Sequence, residues 1–114
     1  MQSDAPSPRD YHTAIWTGNH MIVWGGGNAG GVVNTGGSYD QVADGWLDVT
    51  TVAAPTTREL HTSVWTGTEM IVWGGSVASG IGIDTGGRYH PTYDTWAPTS
   101  EADAPTGRER HTAV

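Results

Sequence analysis

The stretch MIVWGG stands at residues 21–26 and again, unchanged, at residues 70–75. Its first four residues are apolar, and a continuous apolar run of this length predicts a short β-strand that is covered on both faces. The two glycines predict the end of the strand, since glycine adopts backbone angles that other residues avoid and permits close packing. An identical strand motif in two places indicates an internal repeat.

The repeat extends on both sides of this motif. Upstream, the pattern APxxRxxHT begins at residues 5, 54 and 104, and WTG follows at residues 16–18 and 65–67. Downstream, TGG stands at residues 35–37 and 85–87. Each copy then continues with a tyrosine, an aspartate and a tryptophan, which are Tyr39, Asp44 and Trp46 in one copy and Tyr89, Asp94 and Trp96 in the other.

The copies have nearly the same length. The offset between equivalent residues is 49 up to the Gly-Gly pair and 50 from the TGG motif onward. The difference in length therefore falls in the glycine-rich stretch between them, residues 27–34 or 76–84, and predicts a loop there. We divide the chain into a first unit (residues 1–49), a second unit (residues 50–99), and the link and first strand of a further unit (residues 100–114).

Each unit predicts four short antiparallel strands. In the first unit, residues 12–16 and 21–24 form a hairpin that turns at Gly18-Asn19, and residues 35–40 form the third strand. A turn at Asp44-Gly45 precedes the fourth strand, which opens at Trp46. No segment shows the spacing and caps of a helix. The sequence therefore predicts an all-β fold of two four-stranded antiparallel sheets plus the first strand of a third.

The order of the motifs HTAxWTG, MIVWGG, TGGxY and DxW resembles the kelch repeat in the version found in bacterial proteins. The resemblance covers nearly the whole chain, twice over. The two copies differ from each other at Gly45, where the second copy has Thr95, and at residues 40–43, where the second copy has the turn-like HPTY of residues 90–93. The resemblance implies that each unit is one kelch blade of a β-propeller, and that the protein is secreted or attached to the cell surface.

The number of units bears on whether the predicted propeller can close. Propellers close with about 4–8 blades, so two blades would leave apolar faces uncovered. We expect either a fragment of a longer propeller or a protomer that closes by self-association, for instance three copies giving six blades; an open pair of blades is the third alternative. The chain stops inside a first-strand motif, HTAV at residues 111–114, and this favours the fragment. The expected partners are therefore other blades, from the same chain or from another copy.

Composition argues against several classes of function. The 114 residues include five arginines, no lysine and 12 acidic residues, for a net charge of −7, which disfavours nucleic acid and anionic membranes as partners. The absence of cysteine excludes disulfides and thiolate metal sites. No apolar run approaches the roughly 20 residues of a membrane span, and residues 1–8 do not resemble a signal peptide. Localisation is left open by these residues, and a secreted or surface protein rests on the resemblance alone.

The recurring polar element, Arg-x-x-His-Thr, has two interpretations. It could form a ring of arginine and histidine around the propeller axis that binds an anion, or it could tie each strand to the link or to the next blade by hydrogen bonds. Repetition favours the second, because a residue present in every unit usually serves the unit. The predicted structural residues of the repeat are Arg9, His12, Trp24, Gly25, Gly26, Trp46, Arg58, His61, Trp73, Gly74, Gly75 and Trp96, with Arg108 and His111 in the third element.

The tryptophans also allow two interpretations, stacking on sugar rings or packing between blades. Trp24, Trp73, Trp46 and Trp96 occupy repeat-equivalent positions, which favours packing, and Trp16 and Trp65 lie beside the hairpin turn, where the choice is more open.

Metal binding and catalysis find little support. Asp40, Asp44 and Asp48 are spaced by four rather than as in a calcium loop, and His20, His61 and His90 lack the spacing of zinc ligands. No nucleophile-elbow motif is present. We therefore predict no catalytic residue, no metal and no cofactor.

The units differ most in the glycine-rich stretch, and loops of variable length on a rigid scaffold usually carry recognition. The candidate ligand-binding residues there are Asn28, Asn34, Ser76, Ser79 and Asp84; the alternative is a solvated connector. The sequence thus predicts a propeller fragment that serves as a binding or protein-interaction scaffold for a protein or glycan, without catalysis of its own. Two alternatives remain: part of a carbohydrate-binding or carbohydrate-active propeller, and a protomer of a symmetric oligomeric propeller.

Overall fold

Two four-stranded antiparallel sheets follow one another along the chain in the computed structural model, which describes residues 5–100 and 105–108. Sheet 1 has the order β1-β2-β5-β6 and sheet 2 the order β7-β8-β9-β10. The strands are β1 (Thr13–Trp16), β2 (His20–Trp24), β3 (Gly27–Asn28), β4 (Gly31–Val32), β5 (Gly36–Asp40), β6 (Gly45–Asp48), β7 (Thr62–Trp65), β8 (Met70–Trp73), β9 (Gly86–His90) and β10 (Thr95–Pro98). The prediction of an all-β fold with two such sheets is confirmed. The further first strand predicted within residues 109–114 lies outside the described residues.

The first hairpin of each sheet turns where the sequence predicts. In sheet 1, Thr17 N–H donates to the carbonyl of His20 at 2.9 Å, and His20 N–H donates back to the Thr17 hydroxyl at 3.0 Å. Gly18 takes the positive φ of +111° that the turn requires. The second unit forms the same turn with Thr66 and Gly67. The recurrent WTG motif is therefore a strand end followed by a turn.

The tyrosine and the aspartate of each unit are hydrogen-bonded to each other at the turn before the last strand. Asp44 and Asp94 both adopt a left-handed backbone with a φ of +52°, directly before the last strand of their sheet. The hydroxyl of Tyr39 donates to the Asp44 carboxylate at 2.5 Å, and that of Tyr89 donates to the Asp94 carboxylate at 2.7 Å. Aspartate tolerates this conformation better than most residues, and the tyrosine holds its side chain in place.

The glycine-rich stretch differs from the predicted loop in the first unit. There β3 and β4 form a two-residue ladder, with Gly27 opposite Val32 and Asn28 opposite Gly31. The return is tight because Gly31 adopts a φ of +117°, which a residue with a Cβ rarely does. Within the corresponding stretch of the second unit, an isolated bridge joins Ser76 and Gly82 in place of this ladder.

The two sheets pack face to face through opposite faces of equivalent strands. Side chains alternate along a strand, so Ile22 and Trp24 lie on one face of sheet 1, which we call its leading face. Met21 and Val23 lie on the other, the trailing face. In sheet 2 the leading face carries Ile71 and Trp73, and the trailing face carries Met70 and Val72. The leading face of sheet 1 packs on the trailing face of sheet 2, and β1 lies beside β7.

The core of the protein lies between the sheets. Ile22 and Trp24 from sheet 1 have no exposed surface, and neither do Met70 and Val72 from sheet 2. The core cluster consists of Ile22, Trp24, Val49, Met70, Val72, Tyr89 and Trp96, with Ile15, Ala54 and Trp65 packed against it. In the described residues no helix is long and apolar enough to cross a membrane.

Candidate functional site

Arg58 anchors the link between the sheets and is itself buried, with 1% of its surface exposed. Its guanidinium donates to the carbonyls of Thr56, Gly74 and Thr85 at 3.1, 3.1 and 2.6 Å, and to the hydroxyls of Thr56 and Thr85 at 3.0 and 2.9 Å. Burial lowers the pKa of Arg58 to about 10. A guanidinium has five N–H donors, and neutral oxygens of the protein accept from every one of its nitrogens, so Arg58 is not placed to bind an external anion.

Arg9 makes the same set of bonds in the first unit. It donates to the carbonyls of Ser7, Gly25 and Thr35 at 3.1, 3.1 and 2.7 Å, and to the hydroxyls of Ser7 and Thr35. Arg9 is half-buried, and its burial lowers its pKa. Each arginine thus lies in the segment that leads into the first strand of its own sheet, and it joins this segment to the ends of the second and third strands of that sheet.

His61 connects the two sheets. Its Nε2 lies 2.9 Å from the Thr13 hydroxyl, and its ring meets the Trp24 ring edge-on, with centroids 5.2 Å apart. The Thr13 hydroxyl also lies 2.5 Å from that of Ser63. His12, the equivalent residue of the first unit, is exposed, and His111 lies outside the described residues.

The four glycines of the repeat all adopt positive φ values, between +70° and +95°. They are Gly25, Gly26, Gly74 and Gly75. At Gly75 an added Cβ would lie 2.5 Å from the carbonyl oxygen of Glu59, so the link passes directly over this glycine. The glycines thus place the link against the strand ends, where the arginine binds.

The polar residues of the variable stretch do not converge on one site. Asn28 donates to the Ser7 hydroxyl at 3.0 Å, and Asn34 donates to the Pro55 carbonyl at 3.3 Å. Ser76 is buried, and its backbone pairs with Glu59. Only Ser79 and Asp84 of the predicted set are exposed. Three of the five predicted ligand-binding residues therefore hold the stretch against the link.

Two of the acidic residues considered as metal ligands, Asp40 and Asp44, serve turns. Asp40 accepts hydrogen bonds from the N–H groups of Val42 and Ala43, which lower the pKa of its carboxyl group. Asp44 accepts from the Tyr39 hydroxyl. Over the described ranges, no three His, Cys, Asp or Glu residues lie close enough to hold a metal ion.

A cleft of about 560 Å³ that was not predicted from the sequence lies between the two sheets, at the end that carries the β1–β2 and β7–β8 turns. Its sheet 1 wall includes Ser38 and Leu47 of the leading face. Its sheet 2 wall includes Trp65 and Tyr89 of the trailing face. The one sequence signal for it is Ser38, which stands where the second unit has Arg88.

The outer faces of the pair repeat the inner ones. Across the trailing face of sheet 2, Met70, Tyr89 and Trp96 are buried in one row with half-buried Trp65. The equivalent row of sheet 1 consists of Trp16, Met21, Tyr39 and Trp46, of which Trp16 is 49% exposed and the others are half-buried. Ile71 and Trp73, on the leading face of sheet 2, are likewise half-buried, whereas Ile22 and Trp24 are buried.

Comparison with known proteins leaves this geometry as the basis for function. No protein-family model and no curated protein sequence matches the chain.

Proposed function

We propose that the chain is a pair of blades of a kelch-type β-propeller, which binds further blades and serves as a binding scaffold without catalysis of its own. The observation that carries this proposal is the head-to-tail packing of the two sheets. Because the leading face of one unit fits the trailing face of the next, each outer face has a complementary partner in a further unit. Head-to-tail interfaces of this kind extend into rings when the rotation closes.

The path of the described link after sheet 2 supports a further blade. Between the sheets, Gly26 N–H donates to the Arg58 carbonyl at 2.9 Å, and Arg58 N–H donates to the Val33 carbonyl at 3.3 Å. After sheet 2, Gly75 N–H donates to the Arg108 carbonyl at 2.7 Å, and Arg108 N–H donates to the Ile83 carbonyl at 3.3 Å. Residues 105–108 thus occupy, on sheet 2, the place that residues 55–58 occupy on sheet 1.

Two sources of the further blades fit the same faces. A longer chain would supply them in sequence, and a symmetric oligomer would supply them from other copies. In both cases the loops and clefts at the ends of the sheets form the binding surfaces of the scaffold, since connections on a rigid framework carry recognition.

The test is a chain lengthened by a second copy of residues 50–99, inserted after residue 99. The added blade should raise the free energy of unfolding and the denaturant m value in one cooperative transition, because each interface adds to the stability of a repeat protein. The control insertion carries Met70→Arg and Val72→Arg in the added copy, which places charge on its trailing face. Equal stabilities of the two insertions, or a separate transition for the intact one, would contradict the proposal.

A further inference from the structure

We propose that the cleft between the two sheets binds a neutral saccharide, with a sugar ring against Trp65 and a sugar hydroxyl hydrogen-bonded to Ser38. This site depends only on the two described sheets, so it stands or fails independently of whether the blades belong to a closed ring. It also lies away from the variable loops from which the sequence predicted recognition.

The size and position of the cleft suit a small ligand. Its volume of about 560 Å³ falls within the roughly 300–1,000 Å³ typical of ligand pockets. It lies where the leading face of sheet 1 and the trailing face of sheet 2 separate, beyond the buried core. Its walls are fixed by two sheets that share that core, so the site is formed before a ligand arrives.

The Ser38 side chain is the strongest pointer to a polar ligand. Ser38 lines the cleft, is only 7% exposed, and among the described residues its hydroxyl has no hydrogen-bond partner. A hydroxyl group can donate one hydrogen bond and accept two, so this one has both donor and acceptor capacity for a molecule bound in the cleft. In sheet 2 the equivalent residue is Arg88, which points from the outer face and lies 3.6 Å from Glu69. A serine in place of the arginine therefore leaves the cleft open.

The rest of the lining defines the class of ligand. Trp65 and Leu47 provide apolar surface on opposite walls. The other lining side chains that carry hydroxyl, amide or carboxylate groups are Thr17, Asn19, Asp48, Thr68, Tyr89, Thr92 and Asp94. Among the described residues no lysine or arginine lines the cleft, and the chain has a net charge of −7, which disfavours phosphate and sulfate groups. A neutral ring with one apolar face and several hydroxyl groups can contact the apolar lining side chains with that face and form hydrogen bonds with the polar ones.

The experiment is a titration of the full chain with methyl glycosides of glucose, galactose, mannose and N-acetylglucosamine, followed by tryptophan fluorescence and saturation-transfer NMR. Inorganic phosphate is the anionic comparison. We expect saturable binding of at least one glycoside and none of phosphate. No glycoside binding by the folded chain, or binding of phosphate in preference, overturns the proposal.

Variants locate the bound sugar. Ser38→Arg, which introduces the residue of the second unit, should weaken binding at least about tenfold by filling the cleft and removing the hydroxyl. The double variant Asn19→Ala and Thr68→Ala changes only exposed rim residues, so it keeps the fold and should also weaken binding. Trp16→Ala removes the repeat equivalent of Trp65 on the outer face and should leave affinity unchanged. Binding that survives the cleft variants, or that is lost with Trp16, overturns the proposal.

Discussion

Trp24 of the first unit and Trp96 of the second lie with their ring centroids 5.5 Å apart in the middle of the sheet–sheet interface. Their repeat equivalents, Trp73 and Trp46, lie on the two outer faces and are half-buried. The same motif residue therefore has a different energetic role in each unit, according to whether another sheet covers its face.

Truncating the inner tryptophan should cost far more than truncating its equivalent. We expect Trp24→Ala to lower the free energy of unfolding by about 3–5 kcal/mol, as for other buried large-to-small changes. Trp73→Ala, at a half-buried position, should cost about half as much or less, because less apolar area returns to water. Urea denaturation of both variants measures the difference. Equal losses would mean that a further sheet covers Trp73 in solution.

Arg58 should not be replaceable by lysine. Its guanidinium binds oxygens of Thr56, Gly74 and Thr85 at once. A lysine ammonium group has three donors in a different geometry, so it cannot reach all of these oxygens. We expect Arg58→Lys to destabilise the fold by roughly 2–3 kcal/mol, because buried carbonyl groups lose partners. Arg9→Lys is the matched control and should cost less, since Arg9 is more exposed. Denaturant titration of the pair gives the comparison, and equal costs would contradict this account.

Two glycines with similar backbone angles should respond differently to alanine. Gly67 has a φ of +107° and open space around an added Cβ, whereas Gly75 has a φ of +95° and the Glu59 carbonyl oxygen 2.5 Å from that position. Gly67→Ala should cost only the conformational strain, about 1 kcal/mol. Gly75→Ala adds a backbone clash, so its thermal midpoint should fall further. Similar melting curves would show that the link can move away from sheet 2.

Alkaline pH should destabilise the protein through Tyr89. Burial, and then the hydrogen bond to Asp94, raise the pKa of the Tyr89 phenol well above its ordinary value. The unfolded phenol releases its proton near pH 10, so above that pH the folded state binds more protons and stability falls as pH rises. Unfolding free energies measured from about pH 8 to 11 should decline less steeply in Tyr89→Phe. Parallel declines in the two proteins would mean that a group other than Tyr89 causes the loss of stability.

The two outer faces should bind each other between copies of the chain. Light scattering should give a mass above one chain at high protein concentration, because head-to-tail faces are complementary. Met21→Arg and Ile71→Arg block opposite faces, so each should lower the mass to that of a monomer. Mixing the two variants should restore a one-to-one dimer, since each keeps the face that the other lacks. A monomeric unmodified chain, or no dimer in the mixture, would contradict this prediction.

The all-β fold and the four antiparallel strands of each unit could be predicted from sequence because their causes are local. The apolar run at residues 21–24, the WTG turns and the Asp44 and Asp94 turns each act over a few neighbouring residues. The repeat then gave each signal a second, independent occurrence. The pairing of Tyr39 with Asp44 and of Tyr89 with Asp94 shows the limit, since the sequence marked both residues as recurrent without showing that they bind each other.

The candidate sites depend on contacts between residues that are far apart in the sequence. The sequence predicts Asn28, Asn34 and Ser76 as ligand-binding residues of a variable loop, and in the structure they bind or lie beneath the link, because the link returns across the strand ends. The cleft lined by Ser38 and Trp65 forms only where residues of different units meet.

By itself, the sequence determined the two-unit all-β organisation and the residues that every unit needs. Only the tertiary structure decided which of two equivalent residues is buried, that Arg58 is saturated by neutral oxygens, and that a cleft remains between the sheets. The physical reason is that strand and turn formation follow from neighbouring residues, whereas burial depends on which face of a sheet another sheet covers. Trp24 and Trp73 have the same sequence neighbours over MIVWGG, and the packing of one sheet on the other sets them apart.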